Sequence, residues 1–252
     1  MRRYFKLKTS PLFSNIETGE AYYDDAKATY KGITIKTFIL LLVTIIISGA
    51  VFFYLPQIMI SGNLGSFLVV LFISSIVGFI SVIVGRMSDK AAKIASFIYA
   101  ICEGMVIGAI SLIAELYVKG VVAIALGATL ILFTIMLTLF ATGVIRVGTK
   151  FRSFMYAFMI TLIPVLIMTF VASIFITDVK TYLAILIFVE ILYLAYGVFS
   201  LLLNFKEAQI VVDRGCSKAS EWSVSLGLMV SLMYIFLEIL RLILYITSMR
   251  RD

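Results

Sequence analysis

Histidine does not occur anywhere in the 252 residues. Its absence excludes histidine-ligated zinc, copper and haem, and with them Ser–His and Cys–His nucleophilic sites. Cysteine occurs only twice, as Cys102 and Cys216. Two residues so far apart make neither a disulfide framework nor a metal-binding pair, and both read as reduced thiols. No GxxxxGK[ST] loop and no dinucleotide fingerprint is present. Asp24, Asp25, Asp89, Asp178, Asp213 and Asp252 all fall outside the long apolar runs, so the paired aspartates of an intramembrane protease are missing. A retinal protein needs a Schiff-base lysine in its last helix, and Trp222 to Met249 holds none. These absences leave an enzyme without residues to work with. The expectation is a non-enzyme that carries no cofactor and no metal.

Charge is scarce too. The chain is 14% charged and 62% hydrophobic, where soluble domains average about 25% and about 45–50%. With a mean hydropathy of +1.13, the solvent implied is lipid. No Asp, Glu, Lys or Arg occurs from Thr37 to Gly85, and a membrane helix needs only about 20 apolar residues. Pro56, Gly62, Asn63 and Gly65 divide that run into two spans. Continuing along the chain gives seven: 37–55, 66–85, 94–118, 120–143, 153–177, 181–204 and 222–248. The expected fold is all-α, one seven-helix domain over 37–249 behind an N-terminal arm, 1–36. The arm reads either as a segment lying on the bilayer or as a solvated tail. Ile210, Val211 and Val212 suggest an interfacial helical turn before Gly215 in the connection between helices six and seven. No internal repeat is visible, which argues against an inverted-repeat transporter.

The basic residues alternate in number along this topology. Seven precede helix one, and connections 2–3, 4–5 and 6–7 carry three each. Connections 1–2, 3–4 and 5–6 carry none, Lys119 and Lys180, and the tail carries Arg250 and Arg251. The positive-inside rule therefore sets the N-terminus in the cytoplasm and the C-terminus outside, in the plasma (inner) membrane. The net charge of +7 is this bias, spread over short loops, and not a nucleic-acid-binding face.

What remains is a small set of ionisable groups within spans: Glu103, Glu190, Glu238 and Arg241. Such residues are rare in lipid and mark ion or proton pathways by default. Glu103 and Glu190 each lie nine residues into their spans, about 14 Å deep at 1.5 Å per residue. Glu238 lies about 24 Å along the last helix, near mid-depth if the first turns sit in the interface. Arg241 follows at i+3 on the same face, so the two can pair. The competing reading is structural: a locking ion pair for Glu238–Arg241, and neutral acids bonded to Ser, Thr or carbonyl groups for Glu103 and Glu190. Three glutamates in one small bundle tip the balance toward an ion or proton role. Gly104 and Gly108, spaced four apart in helix three, predict a tight helix–helix seam within the monomer.

The C-terminal EWSVSLGLMVSLMYIFLEILRLI resembles the last-helix signature of the Bax inhibitor-1 (transmembrane Bax inhibitor motif) family, bacterial branch. ASFIYAICEGMVIGAIS (95–111) is similar to its third helix, ATYKGITIKT (28–37) to its approach to helix one, and LLLNFKEAQI (201–210) to the end of its helix six. The resemblance implies a last helix that is central and ringed by the other six, and a pH-sensitive calcium leak. It implies a proton-sharing carboxylate pair held by an arginine near the end of helix two. Those positions fall on Asn204, Glu238 and Arg86. An amide cannot titrate, so Asn204 implies a hydrogen bond to Glu238 in place of a shared proton, and weakened or altered pH gating. Calcium suits oxygen ligands. Members of the family are also described as partners and inhibitors of membrane quality-control proteases and, in eukaryotes, as suppressors of cell death. The alternative function is therefore a non-conducting regulator of a membrane protease that uses the N-terminal arm.

Overall fold

A computed structural model describes residues 27–145 and 147–251. Seven helices make up the described chain: α1 (Tyr30–Ile60), α2 (Leu64–Met87), α3 (Asp89–Tyr117), α4 (Val121–Ala141), α5 (Thr149–Phe175), α6 (Val179–Asp213) and α7 (Ser220–Arg251). All seven are long and apolar enough to cross a membrane. The protein is a multi-pass membrane protein.

The helices overrun the spans expected from composition. Hydropathy reports where hydrocarbon would lie, whereas the backbone stays helical until a cap or glycine ends it. α1 starts at Tyr30, where Thr29 caps it by accepting from Gly32 N at 3.0 Å. The last residues assigned to the arm are thus helical; those before Lys27 lie outside the described residues. Pro56 sits inside α1, and the chain turns only at Gly62, whose φ of 76° suits a residue without Cβ. α6 runs nine residues past the expected end, to Asp213. Ile210 to Val212 form its final turn and not a separate interfacial one, and Gly215 (φ 64°) makes the break.

α7 packs against α1, α2, α3, α4 and α6, while the main contact of α5 is with α6. In the most apolar stretch of α7, 61% of residues are buried by protein, against 6% in α5. Outward-facing Phe53, Phe72, Phe79, Phe170 and Phe175 are the lipid-facing surface such a bundle requires. The largest core cluster joins α4, α6 and α7 through Val121, Ala125, Leu201, Phe205, Leu228, Ile235 and Leu240. A second joins α1, α3 and α7 through Leu40, Tyr99, Ala100, Leu226 and Met229.

Gly104 and Gly108 of α3 pack against α1. A Cβ on Gly104 would come within 2.9 Å of Thr44 O, and one on Gly108 within 2.6 Å of Ser48 O. The two backbones approach closely because the glycines interpose no side chain of their own, and Ile47 and Val51 of α1 pack into the space they leave. Most span hydroxyls bond back one turn: Thr37 donates to Ile33 O, Thr129 to Ala125 O, and Thr44 to Leu40 O. Such residues satisfy themselves in lipid and need no site to explain them.

Candidate functional site

The charged groups inside the bundle fall into separate clusters. At one end, the start of α7 meets the start of α1. Glu221 is buried and accepts from Thr29 N at 2.8 Å, and its other oxygen lies 2.7 Å from Lys36 Nζ. Lys36 also stands over the Trp222 ring, 4.9 Å from its centroid. The end of α2 and the start of α3 join the same end, through Arg86 on Ser223 O (3.1 Å) and Ser220 on Asp89 (2.7 Å). Tyr117 and Ser248, 3.1 Å apart, mark the opposite end.

Arg86 reaches across to α6, where its Nη2 lies 2.6 Å from Glu207 Oε2. Asn204, one turn before Glu207, donates from Nδ2 to Gly227 O (3.0 Å) and to Ser231 Oγ (2.6 Å). The expectation that Asn204 and Arg86 flank Glu238 is therefore corrected: their partners are Gly227, Ser231, Ser223 and Glu207. Glu207 was missed. It sits in the quoted LLLNFKEAQI, but the apolar run ended at 204 and left it in a loop. The signal available was its i+3 spacing from Asn204, which sets both on one face of a continuing helix.

Glu238 lies seven residues beyond Ser231, about 10 Å along α7. It is fully buried, and Arg241 Nη2 donates to its Oε1 at 2.6 Å. The same guanidinium reaches the buried Glu190 on α6, with Nε 3.5 Å from Oε1. Glu190, Glu238 and Arg241 are thus one cluster, held by an arginine between two acids. Glu190 Oε1 and Glu238 Oε2 are buried without a hydrogen-bond partner. Between the two clusters the α6–α7 seam stays polar: Ser200 Oγ lies 3.3 Å from Ser231 Oγ, and the rings of Tyr196 and Tyr234 meet edge-on at 6.0 Å.

The remaining acids have local work. Glu103 lies apart on α3, against Tyr99 one turn before it. Glu115, near the end of α3, accepts from Gly120 N (2.6 Å) and Val122 N (3.3 Å). It places a carboxylate at the N-terminus of α4, where the free amides and the helix dipole favour an anion. Among the described residues, no group of three or more acids or cysteines could hold a metal ion.

A seven-helix bundle with ion-paired carboxylates along a buried helix seam defines a multi-pass membrane protein with a polar interior. The family model described as Bax inhibitor 1 like matches residues 10–248. The chain belongs to that family. No curated protein and no solved structure matches it.

Proposed function

We propose that the protein is a passive cation leak, with calcium as the ion, in the plasma (inner) membrane, its N-terminus cytoplasmic. The observation that carries this reading is the α6–α7 seam. Along it, Arg86–Glu207, Asn204, Ser231, Ser200 and the Glu190–Arg241–Glu238 cluster follow one another across the bundle. Buried polar groups are expensive in hydrocarbon, and a bundle that needed only to pack would bury Leu or Ala at these positions. Carboxylates are hard oxygen donors suited to calcium. One carboxylate at the Arg86 station and two at the Arg241 station give attraction without the dense ligation that would trap an ion, as conduction requires. With Asn204 bonded to Ser231 and Gly227, the pair that titrates in a carboxylate–carboxylate gate is absent at that position, and a weak pH response follows.

The test is calcium flux into proteoliposomes of purified protein at mildly acidic and mildly alkaline pH, for wild type and Glu238→Gln. The expected result is flux that is lost in the variant and nearly flat with pH in the wild type. No flux in wild-type protein that remains folded would overturn the reading.

A further inference from the structure

α4 and α5 follow one another in the chain, yet they hardly touch: α4 packs on α7, α6 and α3, and α5 packs on α6. The reason lies on α6. Phe133 and Phe140 of α4 meet Phe205 with ring centroids 5.7 and 5.6 Å apart, while Phe151 and Phe154 of α5 meet Phe199 at 5.8 and 6.4 Å. Six residues at 3.6 per turn set Phe199 and Phe205 about 120° apart around α6. Its two neighbours therefore stand on different sides of it. The connection between them does not fill the gap, because Val147 is drawn down into the main core. What is left is an open groove of about 600 Å³, lined by Gly148, Thr149, Lys150, Phe151 and Phe154. From there α5 runs on with only 6% of its most apolar stretch buried by protein, so the groove opens sideways onto acyl chains.

The rim of this groove is basic. Lys150 is exposed, and no acid among the described residues pairs with it. Lys206 of α6 lies seven residues past Phe199, two turns along on the same face and about 10 Å nearer that end of the bundle. Its partner is the neutral amide of Gln209, 2.9 Å away at Oε1, which leaves its charge uncancelled. No Asp or Glu occurs between Glu115 and Asp178, and Glu207, beside Lys206, is taken up by Arg86. A ligand that suits this place is anionic at one end and apolar along its length. A soluble anion meets the first condition only, and a neutral lipid the second only. We infer that the groove between α4 and α5 seats an anionic phospholipid, its headgroup at the level of Lys150 and Lys206 and an acyl chain along Phe151 and Phe154. Basic pockets between membrane helices recognise lipid phosphates by this same combination of charge and trough. The lipid completes the packing of α5, which otherwise leans on α6 alone. The inference stands independently of the leak reading.

Native mass spectrometry of the purified protein, equilibrated in detergent with dioleoylphosphatidylglycerol or dioleoylphosphatidylcholine, counts bound lipid directly. Wild type should retain the anionic lipid in preference to the zwitterionic one. A lysine beside an anionic headgroup contributes about fivefold in affinity. Lys150→Gln and Lys206→Gln should therefore each weaken phosphatidylglycerol binding about fivefold, and the double variant about twenty-five-fold, with phosphatidylcholine unchanged. Lys150→Arg should keep wild-type binding, and excess inorganic phosphate should leave the lipid in place. Position is read separately. In a Trp222→Phe background, Phe154→Trp sets the chain's one tryptophan at the groove. Phosphatidylglycerol brominated on its chains should quench that tryptophan more than brominated phosphatidylcholine at equal mole fraction, and Lys150→Gln should remove the excess. Equal retention of the two lipids by wild type would overturn the inference. So would a preference that survives the double lysine substitution, or quenching that does not distinguish the lipids. Displacement by phosphate would mark a site for free anions and reject the lipid. If the tryptophan reporter does not fold, the wild-type comparison and the two lysine variants, whose side chains lie outside the core, decide alone.

Discussion

Arg86 lies directly over Gly227. A Cβ on that glycine would stand 2.7 Å from Arg86 Nη1 and 2.6 Å from Asn204 Oδ1. Both side chains are pinned, Arg86 by Glu207 and Ser223 and Asn204 by Ser231 and the Gly227 carbonyl. Neither can retreat without giving up a bond. Gly227→Ala should therefore cost about 1–3 kcal/mol, the usual range for an overpacked site. Thermal unfolding in detergent, followed through Trp222, checks this.

The Arg86–Glu207 pair should show a strong non-additive signature. Arg86→Met leaves a carboxylate that is only 8% exposed without its counter-ion, which costs about 3–5 kcal/mol. Glu207→Leu alone strands the guanidinium in the same way. The double substitution removes both charges and should be less damaging than the sum of the two by about 0.5–3 kcal/mol. A sum that simply adds would mean the pair is not coupled.

The α1–α3 seam gives a matched comparison between two glycines. Gly108→Ala drives a methyl into the backbone of α1, 2.6 Å from Ser48 O, and backbone cannot step aside as a flexible side chain can. It should lower the unfolding temperature clearly. Gly127→Ala on α4 meets nothing within 4 Å and should be neutral, or stabilising by up to about 1 kcal/mol through helix propensity. Equal effects at the two positions would argue against close approach at the seam.

Cys216 offers a test of orientation. It lies in the α6–α7 connection, and burial, aided by the nearby Asp89 charge, pushes its thiol above the ordinary range. The thiolate is the reactive form, so a raised pKa leaves less of it at neutral pH. Labelling should be slow there and accelerate as pH rises into the alkaline range. In a Cys102→Ala background, a membrane-impermeant maleimide should reach Cys216 from the cytoplasmic side only. Labelling from outside would invert the proposed topology.

The number and order of the helices were legible because lipid imposes a crude rule, a charge-free run of sufficient length. The Glu238–Arg241 pair was legible for a similarly local reason, since i+3 spacing is a property of any helix. Glu207 was not, because the chain stays helical after it leaves the hydrocarbon and composition cannot see that. Nor could sequence show that Arg241 reaches Glu190, fifty-one positions earlier on another helix, or that Asn204 faces Ser231 instead of Glu238. Those are facts of rotation between α6 and α7, and helices apolar all round carry no stripe from which rotation could be read.

The fastening of the start of α1 to the start of α7 has a consequence in time. Thr29 and Glu221 are 192 residues apart, and Ala28 N bonds Cys216 O at 2.8 Å beside a bridge between Lys27 and Ser217. The first helix made is thus completed by the last. During synthesis α1 must wait in the bilayer, its Lys36 without Glu221, until nearly the whole polypeptide has been inserted. Contacts this remote in sequence form late and at a high cost in chain entropy. Ribosome-stalled or C-terminally truncated chains should then carry a loose first helix open to membrane quality control, and assembly would be gated by the final span to leave the ribosome.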